Sequence, residues 1–178
     1  MKEEPFPDAM LPALCNAVGH VVVNWAFVEH SLDTWSTIIF HFSEGKRLYR
    51  MMQKNLGRKL EFLRRCFKTL KPLQPYSAEA LQMLASAECL SLTRHFVVHG
   101  VPMQLNQETG AAVFVKLDLI EEYTFHKINK LEIGVQELLD KGSECMDLTA
   151  SMLKLSLRLL NAFIPEDQRD KLPRSIRG

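Results

Sequence analysis

The fold is decided by a long stretch near the N-terminus, residues 8–42, which reads DAMLPALCNAVGHVVVNWAFVEHSLDTWSTIIFHF. Its apolar residues recur at alternating spacings of three and four, the period of an α-helix with one buried stripe. The β-branched run Val21–Val23 favours a strand locally, but the longer period outweighs it. We therefore predict one long helix, capped by Asp8. Its buried positions should be Leu11, Leu14, Val18, Val21, Trp25, Val28, Leu32, Trp35, Ile39 and Phe42.

A basic region follows this first helix. Residues 43–45 (SEG) break the apolar period, and the pattern then predicts helix as far as about residue 70. An interruption is expected at residues 55–57 (NLG), because asparagine and glycine favour turns. Residues 71–75 (KPLQP) contain two prolines and are predicted to be a linker.

Two more helices are predicted in the remainder of the chain. Ser77 is a conventional N-cap for a helix that reaches His99, and Gly100 is a typical residue at a helix C-terminus. Thr124 is expected to cap the last long helix, which Pro165 ends. The apolar register of that helix passes Gly142 without a change of phase, so we expect one helix, bent at most, and not two.

Residues 101–117 no longer follow the apolar spacing of a helix. Two short apolar runs, 101–105 and 111–117, flank the turn-forming residues 106–110 (NQETG), which predicts a β-hairpin. A lone hairpin is marginally stable, so it must lie on the helices or pair with another chain. The expected fold class is all-α: a four-to-five-helix up-down bundle with this hairpin inserted before the last helix. Residues 1–165 are predicted to form a single domain, followed by a polar basic tail at 166–178.

The overall charge names no partner, since the formal net charge is +1. The distribution is uneven: residues 43–71 carry ten Lys or Arg against two acids, and residues 118–147 carry eight acids against three Lys. The first segment could attract phosphates and the second would repel them. Alternatively, the two segments are solvated helix faces that neutralise each other.

The cysteines and the N-terminus indicate the cellular compartment of the protein. Four cysteines are scattered, with no C-x-x-C pair, and are predicted to be reduced core thiols. The N-terminus has no signal-peptide pattern, and we expect no apolar run to be long enough to span a membrane. We therefore expect a cytoplasmic protein with no membrane partner.

The densest polar cluster in the chain is Arg94-His95-Phe96-Val97-Val98-His99-Gly100. On a helix, Arg94 and His99 lie roughly 140° apart, with Ser91 and His95 inside that arc, so the basic side chains can border one strip. RNA cleavage by its own 2′-hydroxyl needs a group that takes a proton and a group that supplies one, and imidazoles titrate in the required range. It also needs cationic donors on the phosphate, which a guanidinium supplies. Alternatively, Arg94 and His99 cap helix carbonyls and pair with surface acids.

The pattern Arg94-His95-x-x-x-His99, ending a helix, resembles the R-polar-x-x-x-H signature of the HEPN superfamily. The first helix carries Trp25-Ala26-Phe27-Val28-Glu29-His30-Ser31-Leu32, which is similar to a W-x-x-x-E-x-x-L stretch of bacterial HEPN-like proteins. The resemblance covers about residues 8–163. It implies an all-α bundle that acts as a homodimer, with two motifs facing one cleft, and a metal-independent RNase activity that needs no cofactor.

The resemblance also implies roles for individual residues. Arg94 would bind and polarise the phosphate, His99 would be the general acid or base, and His95 would orient or assist. We predict that Glu29, beside the apolar stripe, orients Arg94 or a histidine, since a carboxylate there is costly unless paired. Alternatively, Glu29 is an exposed acid at the edge of the stripe. Residues predicted to hold the RNA backbone are Arg58, Lys59, Arg64 and Arg65.

One position departs from part of the family. In HEPN toxins silenced by adenylylation a tyrosine stands two residues after the motif histidine, and Val101 stands there in this chain. This departure argues against membership of that toxin–antitoxin subgroup and against an adenylylation switch, and an antitoxin or nucleotidyltransferase partner stays unproven. Some HEPN domains are catalytically silent, so the alternative function is a helical dimer that binds a nucleotide or a protein.

The same residues indicate other chemistries less well. His95 and His99 have the i, i+4 spacing that can hold a metal ion, but the motif contains no acid and Arg94 would repel a cation. Ser91 beside a histidine could suggest a nucleophile, but no strand–turn–helix elbow is predicted. Neither a P-loop nor a G-x-G-x-x-G motif is present, so nucleotide binding of those two kinds is not indicated.

Overall fold

The computed structural model describes residues 10–106, 109–119 and 126–169. Within these ranges the chain forms five α-helices and one three-stranded antiparallel sheet. The elements are α1 (Met10–Phe42), α2 (Leu56–Thr69), α3 (Ser77–His99), β1 (Val101–Leu105), β2 (Ala111–Leu119), β3 (His126–Gly134), α4 (Val135–Phe163) and α5 (Glu166–Arg169). Short 3-10 helices occupy Gly45–Arg47 and Lys71–Tyr76. The largely helical class is therefore confirmed, although the sheet has one strand more than a hairpin. The predicted caps Asp8 and Thr124, and the end of the tail, lie outside the described residues.

Helix α1 is the long helix that its periodicity predicted. The middle of the apolar stripe, from Leu14 to Ile39, is buried except for the partly buried Val18. Leu11 is 45% exposed, so the stripe begins one turn later than predicted. Helix α1 is long and apolar enough to cross a membrane: an 18-residue window of it has a mean hydropathy of 1.5. In the structure, 33% of that window is buried. The expectation that no run approaches that length is therefore wrong by this criterion, which core helices of soluble proteins and signal sequences also meet.

The basic region is less helical than predicted. Residues 50–55 are not helical, and α2 begins at Leu56. Asn55 is the N-cap: its side-chain oxygen accepts a hydrogen bond from the Gly57 amide at 3.0 Å. The turn-forming residues 55–57 therefore start a helix and do not interrupt one, because an asparagine side chain satisfies one of the free amides of the first turn. The expected linker is a 3-10 helix that buries Leu73.

The sheet replaces the beginning of the predicted last helix. Strand β2 pairs with β1 on one side and with β3 on the other, in the order β1-β2-β3. The inward face of β3 carries Leu131 opposite Phe114 and Ile133 opposite Ala112, whereas Ile128 is 61% exposed on the other face. Ile128 and Leu131 had suggested a helix because their spacing of three fits a helical turn. Alternation along the strand prevails, and α4 begins only at Val135.

The described chain divides into two compact units. The first contains the residues up to Trp25 together with Cys89–Met146, and the second contains Ala26–Glu88 together with the residues from Asp147 onward. The core of the first unit is apolar and joins side chains of three helices and the sheet, namely Leu14, Ala17, Val21, Val97, Ala112, Phe114, Ile133 and Leu138. In the second unit, Trp35 packs edge-on against Phe67 with ring centroids 5.8 Å apart. Its indole N–H donates to Ser156 Oγ at 2.8 Å.

The cysteines differ in their environments. All four are free thiols; Cys66 and Cys145 are buried, whereas Cys15 and Cys89 are exposed. The prediction of core thiols is therefore confirmed for the first pair and wrong for the second. Burial raises the pKa of Cys66 to about 12 and that of Cys145 to about 11, because an apolar environment disfavours the thiolate.

Candidate functional site

The predicted motif occupies the last turns of α3, within the first unit. His95 and His99 are exposed and Arg94 is half-buried, while Val97 on the opposite side of the helix is 7% exposed and belongs to the core. Burial of Val97 fixes the rotation of the helix, and that rotation directs the two imidazoles toward solvent. The exposed side of this turn therefore carries the two imidazoles together with Val98, which is 40% exposed.

The end of α3 is held close to the sheet. The Gly100 amide donates to the carbonyl oxygen of Phe96 at 2.7 Å. A β-carbon at Gly100 would lie 2.6 Å from that oxygen and 3.4 Å from the side chain of Phe114 on β2. Only glycine fits without movement of the backbone, so the predicted stop also brings the histidine turn next to β2.

The two histidines face each other. Their ring centroids are 4.8 Å apart and their planes are inclined by 60°. This pairing follows from the i, i+4 spacing, which places two side chains one above the other on a helix. Two imidazoles at this distance can share a proton donor, an acceptor or an anionic ligand between them.

A third basic group, Lys116 on β2, joins the histidines. Its Nζ atom lies 2.5 Å from His95 Nε2 and 2.8 Å from Asp118 Oδ1. The Lys116 side chain is only 12% exposed, and its ammonium lies 5.9 Å from the centre of the Phe96 ring. Sequence reasoning missed Lys116. The available signal was a lysine two positions before an aspartate at the end of an otherwise apolar strand.

Asp118 and Asn129 complete this cluster. Asn129 stands opposite Lys116 in the register of β2 and β3, and its Nδ2 donates to Asp118 Oδ2 at 2.6 Å. Hydrogen bonds from Lys116, supported by the charge of Lys116 and the amide of Asn129, lower the pKa of Asp118. The carboxylate is therefore ionised near neutral pH and holds the ammonium in place. We call Arg94, His95, His99, Lys116, Asp118 and Asn129 the histidine–lysine cluster.

The electrostatics of the cluster act mainly on His95. Its pKa is lowered from the ordinary value of 6.5, first by loss of hydration around the ring and then by the positive charge of Lys116. His99 and Arg94 lower it further, while Asp118 opposes them. His95 is therefore a neutral imidazole at neutral pH.

The supporting residues are placed in different parts of the chain. Ser91 is half-buried on α3, one turn before His95. Glu29 is half-buried on α1 and belongs to the second unit, whereas Arg94 and both histidines belong to the first. The orientation of Arg94 or a histidine by Glu29 stays a prediction.

The four predicted RNA-binding residues are all in the second unit but differ in their surroundings. Arg58 and Arg65 are exposed, and the Arg65 guanidinium lies 5.5 Å from the centre of the Tyr49 ring. Arg64 donates to both carboxylate oxygens of Glu88, at 3.2 and 2.7 Å. Lys59 is 5% exposed and its ammonium is paired with Asp33. Its side chain is thus engaged inside the protein.

A shallow pocket lies on the exposed side of α2. It has a volume of about 310 Å³ and is lined by Glu61, Arg64, Arg65, Lys68 and Thr69. Three of the five side chains are cationic, which suits an anionic ligand. No group of three or more His, Cys, Asp or Glu side chains among the described residues is arranged to hold a metal ion.

Comparison of the chain with protein-family models, with curated proteins and with solved structures finds no match.

Proposed function

We propose that this chain is a metal-independent endoribonuclease of the HEPN type, which cleaves single-stranded or loop RNA by attack of a 2′-hydroxyl. The single observation that supports the proposal is the pairing of the exposed His95 and His99 rings, 4.8 Å apart, with Arg94 directly before His95 in the sequence. The reaction requires a base, an acid and a cation at one phosphate; an imidazole can transfer the protons and the Arg94 guanidinium supplies the cation. The products would be a 2′,3′-cyclic phosphate and a 5′-hydroxyl.

Each residue has a role in this proposal. His99 exchanges protons with the attacking hydroxyl or the leaving oxygen, because an exposed imidazole can reach the substrate. Arg94 binds the phosphate through a planar guanidinium that matches two oxygens. In a homodimer two motifs would face one cleft, so that one His99 acts as base and the other as acid. The exposed Arg58 and Arg65 are proposed to contact the RNA backbone, whereas the buried Lys59 is not.

The test is cleavage of mixed RNA in the presence of EDTA. The proposal predicts cleavage by the wild type and loss of at least a hundredfold in both Arg94→Ala and His99→Ala, the usual scale for a proton-transfer group. His41→Ala is the matched control, because His41 is also an exposed histidine in the last turn of a helix, α1. Activity that EDTA abolishes would contradict the proposal in favour of a metal hydrolase. Equal loss in His41→Ala would contradict the assigned site.

The outer face of the sheet favours a second candidate function. Val101, Met103, Leu117 and Ile128 are 58–65% exposed there, and exposed apolar side chains on one sheet face mark an interaction surface. The chain would then be a catalytically silent helical homodimer that pairs through this face. No cleavage by the folded wild type, together with a dimer that dissociates in Leu117→Lys, would support this second function over the first.

A further inference from the structure

The contact between Lys116 and His95 fixes which way the hydrogen bond runs. A lysine ammonium has three donors and no acceptor, so at 2.5 Å from Lys116 the Nε2 atom of His95 must accept. A ring nitrogen that accepts carries no proton. This direction requires a neutral His95 whose single ring proton is on Nδ1.

We propose that Lys116 is a positioning residue: it holds His95 as the neutral, Nδ1-protonated imidazole, so that His95 serves as a hydrogen-bond donor and leaves proton transfer to His99. Its catalytic part rests on the proposed ribonuclease function, whereas the state of His95 does not. The proposal gives different roles to two histidines that the sequence motif presents as similar groups.

The position of Lys116 is itself fixed. Its side chain is 12% exposed, and its ammonium is paired with Asp118 at 2.8 Å. Asn129 on the neighbouring strand donates to the second oxygen of that carboxylate. This series of contacts, Asn129–Asp118–Lys116–His95, thus extends from β3 through β2 to α3, and every member except the imidazole is on the sheet.

The charges around His95 favour the same state. From α3 it meets the positive Arg94 and the neighbouring His99, and from β2 it meets the positive Lys116 and the negative Asp118. Among the described residues that act on His95, the positive groups outnumber the single acid, so a second proton on His95 is disfavoured. The lowered pKa of His95 is consistent with this arrangement.

The consequence for catalysis is a division of labour. His95 cannot act as a base through Nε2 while that atom accepts from Lys116, but its Nδ1–H can donate to a phosphate oxygen or to His99. His99 has no such contact with Lys116 among the hydrogen bonds described for the cluster, and it can change protonation during the reaction. An amide at position 95 should therefore replace His95 in part, because an amide also donates a hydrogen bond.

The experiment is NMR of the histidine ring nitrogens, recorded against pH on the full chain. The wild type is expected to show His95 as the Nδ1-protonated tautomer, with a titration midpoint below the ordinary value of 6.5. Lys116→Met keeps most of the length of the unbranched side chain and removes the donor. We expect its midpoint to rise above that of the wild type and its tautomer to shift toward Nε2-protonation, while Lys116→Arg keeps the wild-type tautomer.

Two results would overturn the proposal. One is a wild-type His95 protonated on Nε2, and the other is an unchanged His95 midpoint and tautomer in a Lys116→Met protein whose circular dichroism shows it to be folded. The ring signals of His41 serve as the internal reference, since that histidine is in the other unit and its signals should be the same in both proteins. These readouts need no RNA, so they remain decisive if the ribonuclease proposal fails.

An activity measurement tests the catalytic part separately. His95→Gln should lose roughly tenfold in cleavage rate, whereas His99→Gln should lose at least a hundredfold, the scale of a lost proton-transfer group. Equal losses in the two variants would contradict the division of labour. They would leave the tautomer of His95, as measured by NMR, unaffected.

Discussion

Gly142 of α4 lies directly against the imidazole of His20 of α1, within the first unit. A β-carbon at position 142 would overlap the His20 ring at Cδ2 and come within 2.9 Å of Cγ and Nε2. The His20 ring is in turn held by Asn24, whose Nδ2 lies 3.2 Å from His20 Nδ1. Glycine is therefore present at this point of a helix because of close packing between side chain and backbone.

The first prediction is that Gly142→Ala destabilises the protein. The ring must move and give up its contact with Asn24, and overpacking of this kind costs about 1–3 kcal/mol. Alanine gains back roughly 0.8–1 kcal/mol of helix propensity, so the net loss of unfolding free energy should be about 1 kcal/mol. Urea denaturation measures the change. Gly19→Ala on α1 is the matched control: nothing lies within 4 Å of its β-carbon position, and it should stabilise the protein.

A double substitution tests the reason for that loss. With His20→Ala in place the ring is absent, and Gly142→Ala should then stabilise the protein by its helix propensity alone. A Gly142→Ala substitution that is equally harmful in both backgrounds would contradict the role given to His20.

The second prediction concerns thiol reactivity. A thiol reagent at about pH 8 should modify the exposed Cys15 and Cys89 of the folded protein quickly, because the reagent can reach them. Cys66 and Cys145 should react only on unfolding, since burial shields them and raises their pKa values to about 12 and about 11. Mass spectrometry after a short labelling pulse identifies the sites. Rapid labelling of Cys66 in the native protein would contradict its placement in the core.

The third prediction is a pH dependence of stability that comes from His95. Its pKa is lower in the folded protein than its ordinary value of 6.5, so below pH 6.5 the unfolded chain binds a proton that the folded chain does not. This contribution to stability is complete above pH 6.5 and is lost as the pH falls toward the folded pKa. Lys116→Met removes one cause of the lowered pKa, and its unfolding free energy should fall less steeply over the same range.

The control for this pH dependence is His95→Gln, which removes the titrating group. In that background Lys116→Met should leave the slope of stability against pH unchanged. A slope that responds to Lys116→Met equally with and without His95 would assign the effect to another group.

The fourth prediction separates two cations of α2 that the sequence treats alike. Arg65→Ala should weaken RNA binding and reduce the slope of log affinity against log salt by about 1, as expected for one lost phosphate contact. Lys59→Met removes the same charge, but its ammonium is buried and paired with Asp33. It should leave affinity nearly unchanged and lower stability. Filter binding at several salt concentrations measures both. A larger loss of affinity in Lys59→Met would contradict this assignment.

The sequence predicted those parts of the fold that depend on local pattern. Helix α3 spans Ser77–His99, so its bounds are those that Ser77 and Gly100 indicated, and a glycine stop acts within one turn. Ser77 itself has helical backbone angles (φ −60°, ψ −50°) and directly follows the 3-10 helix, so it is not the N-cap that the sequence predicted. Strand β3 was missed since Ile128 and Leu131 fit a helical spacing as well as a strand. Only pairing with β2 shows that Leu131 faces inward and Ile128 outward.

The candidate site, too, was predictable only where it depends on the local spacing of residues. The proximity of His95 and His99 follows from their spacing along one helix. The addition of Lys116, Asp118 and Asn129 does not, because it depends on the packing of α3 against a strand that is more than ten residues away. The engagement of Arg64 with Glu88 and of Lys59 with Asp33 is likewise a tertiary fact, and composition alone made all four of the predicted RNA-binding cations look available.

The most direct test of the central claim is the chemistry of the cleaved end. A short RNA and a matched RNA with a 2′-O-methyl group at the cleaved nucleotide are incubated with the protein in EDTA, and the products are identified by mass spectrometry. Attack by the 2′-hydroxyl predicts a 2′,3′-cyclic phosphate and a 5′-hydroxyl from the first RNA and no cleavage at the methylated position. Cleavage of both RNAs at equal rates, or products that carry a 5′-phosphate, would contradict the account.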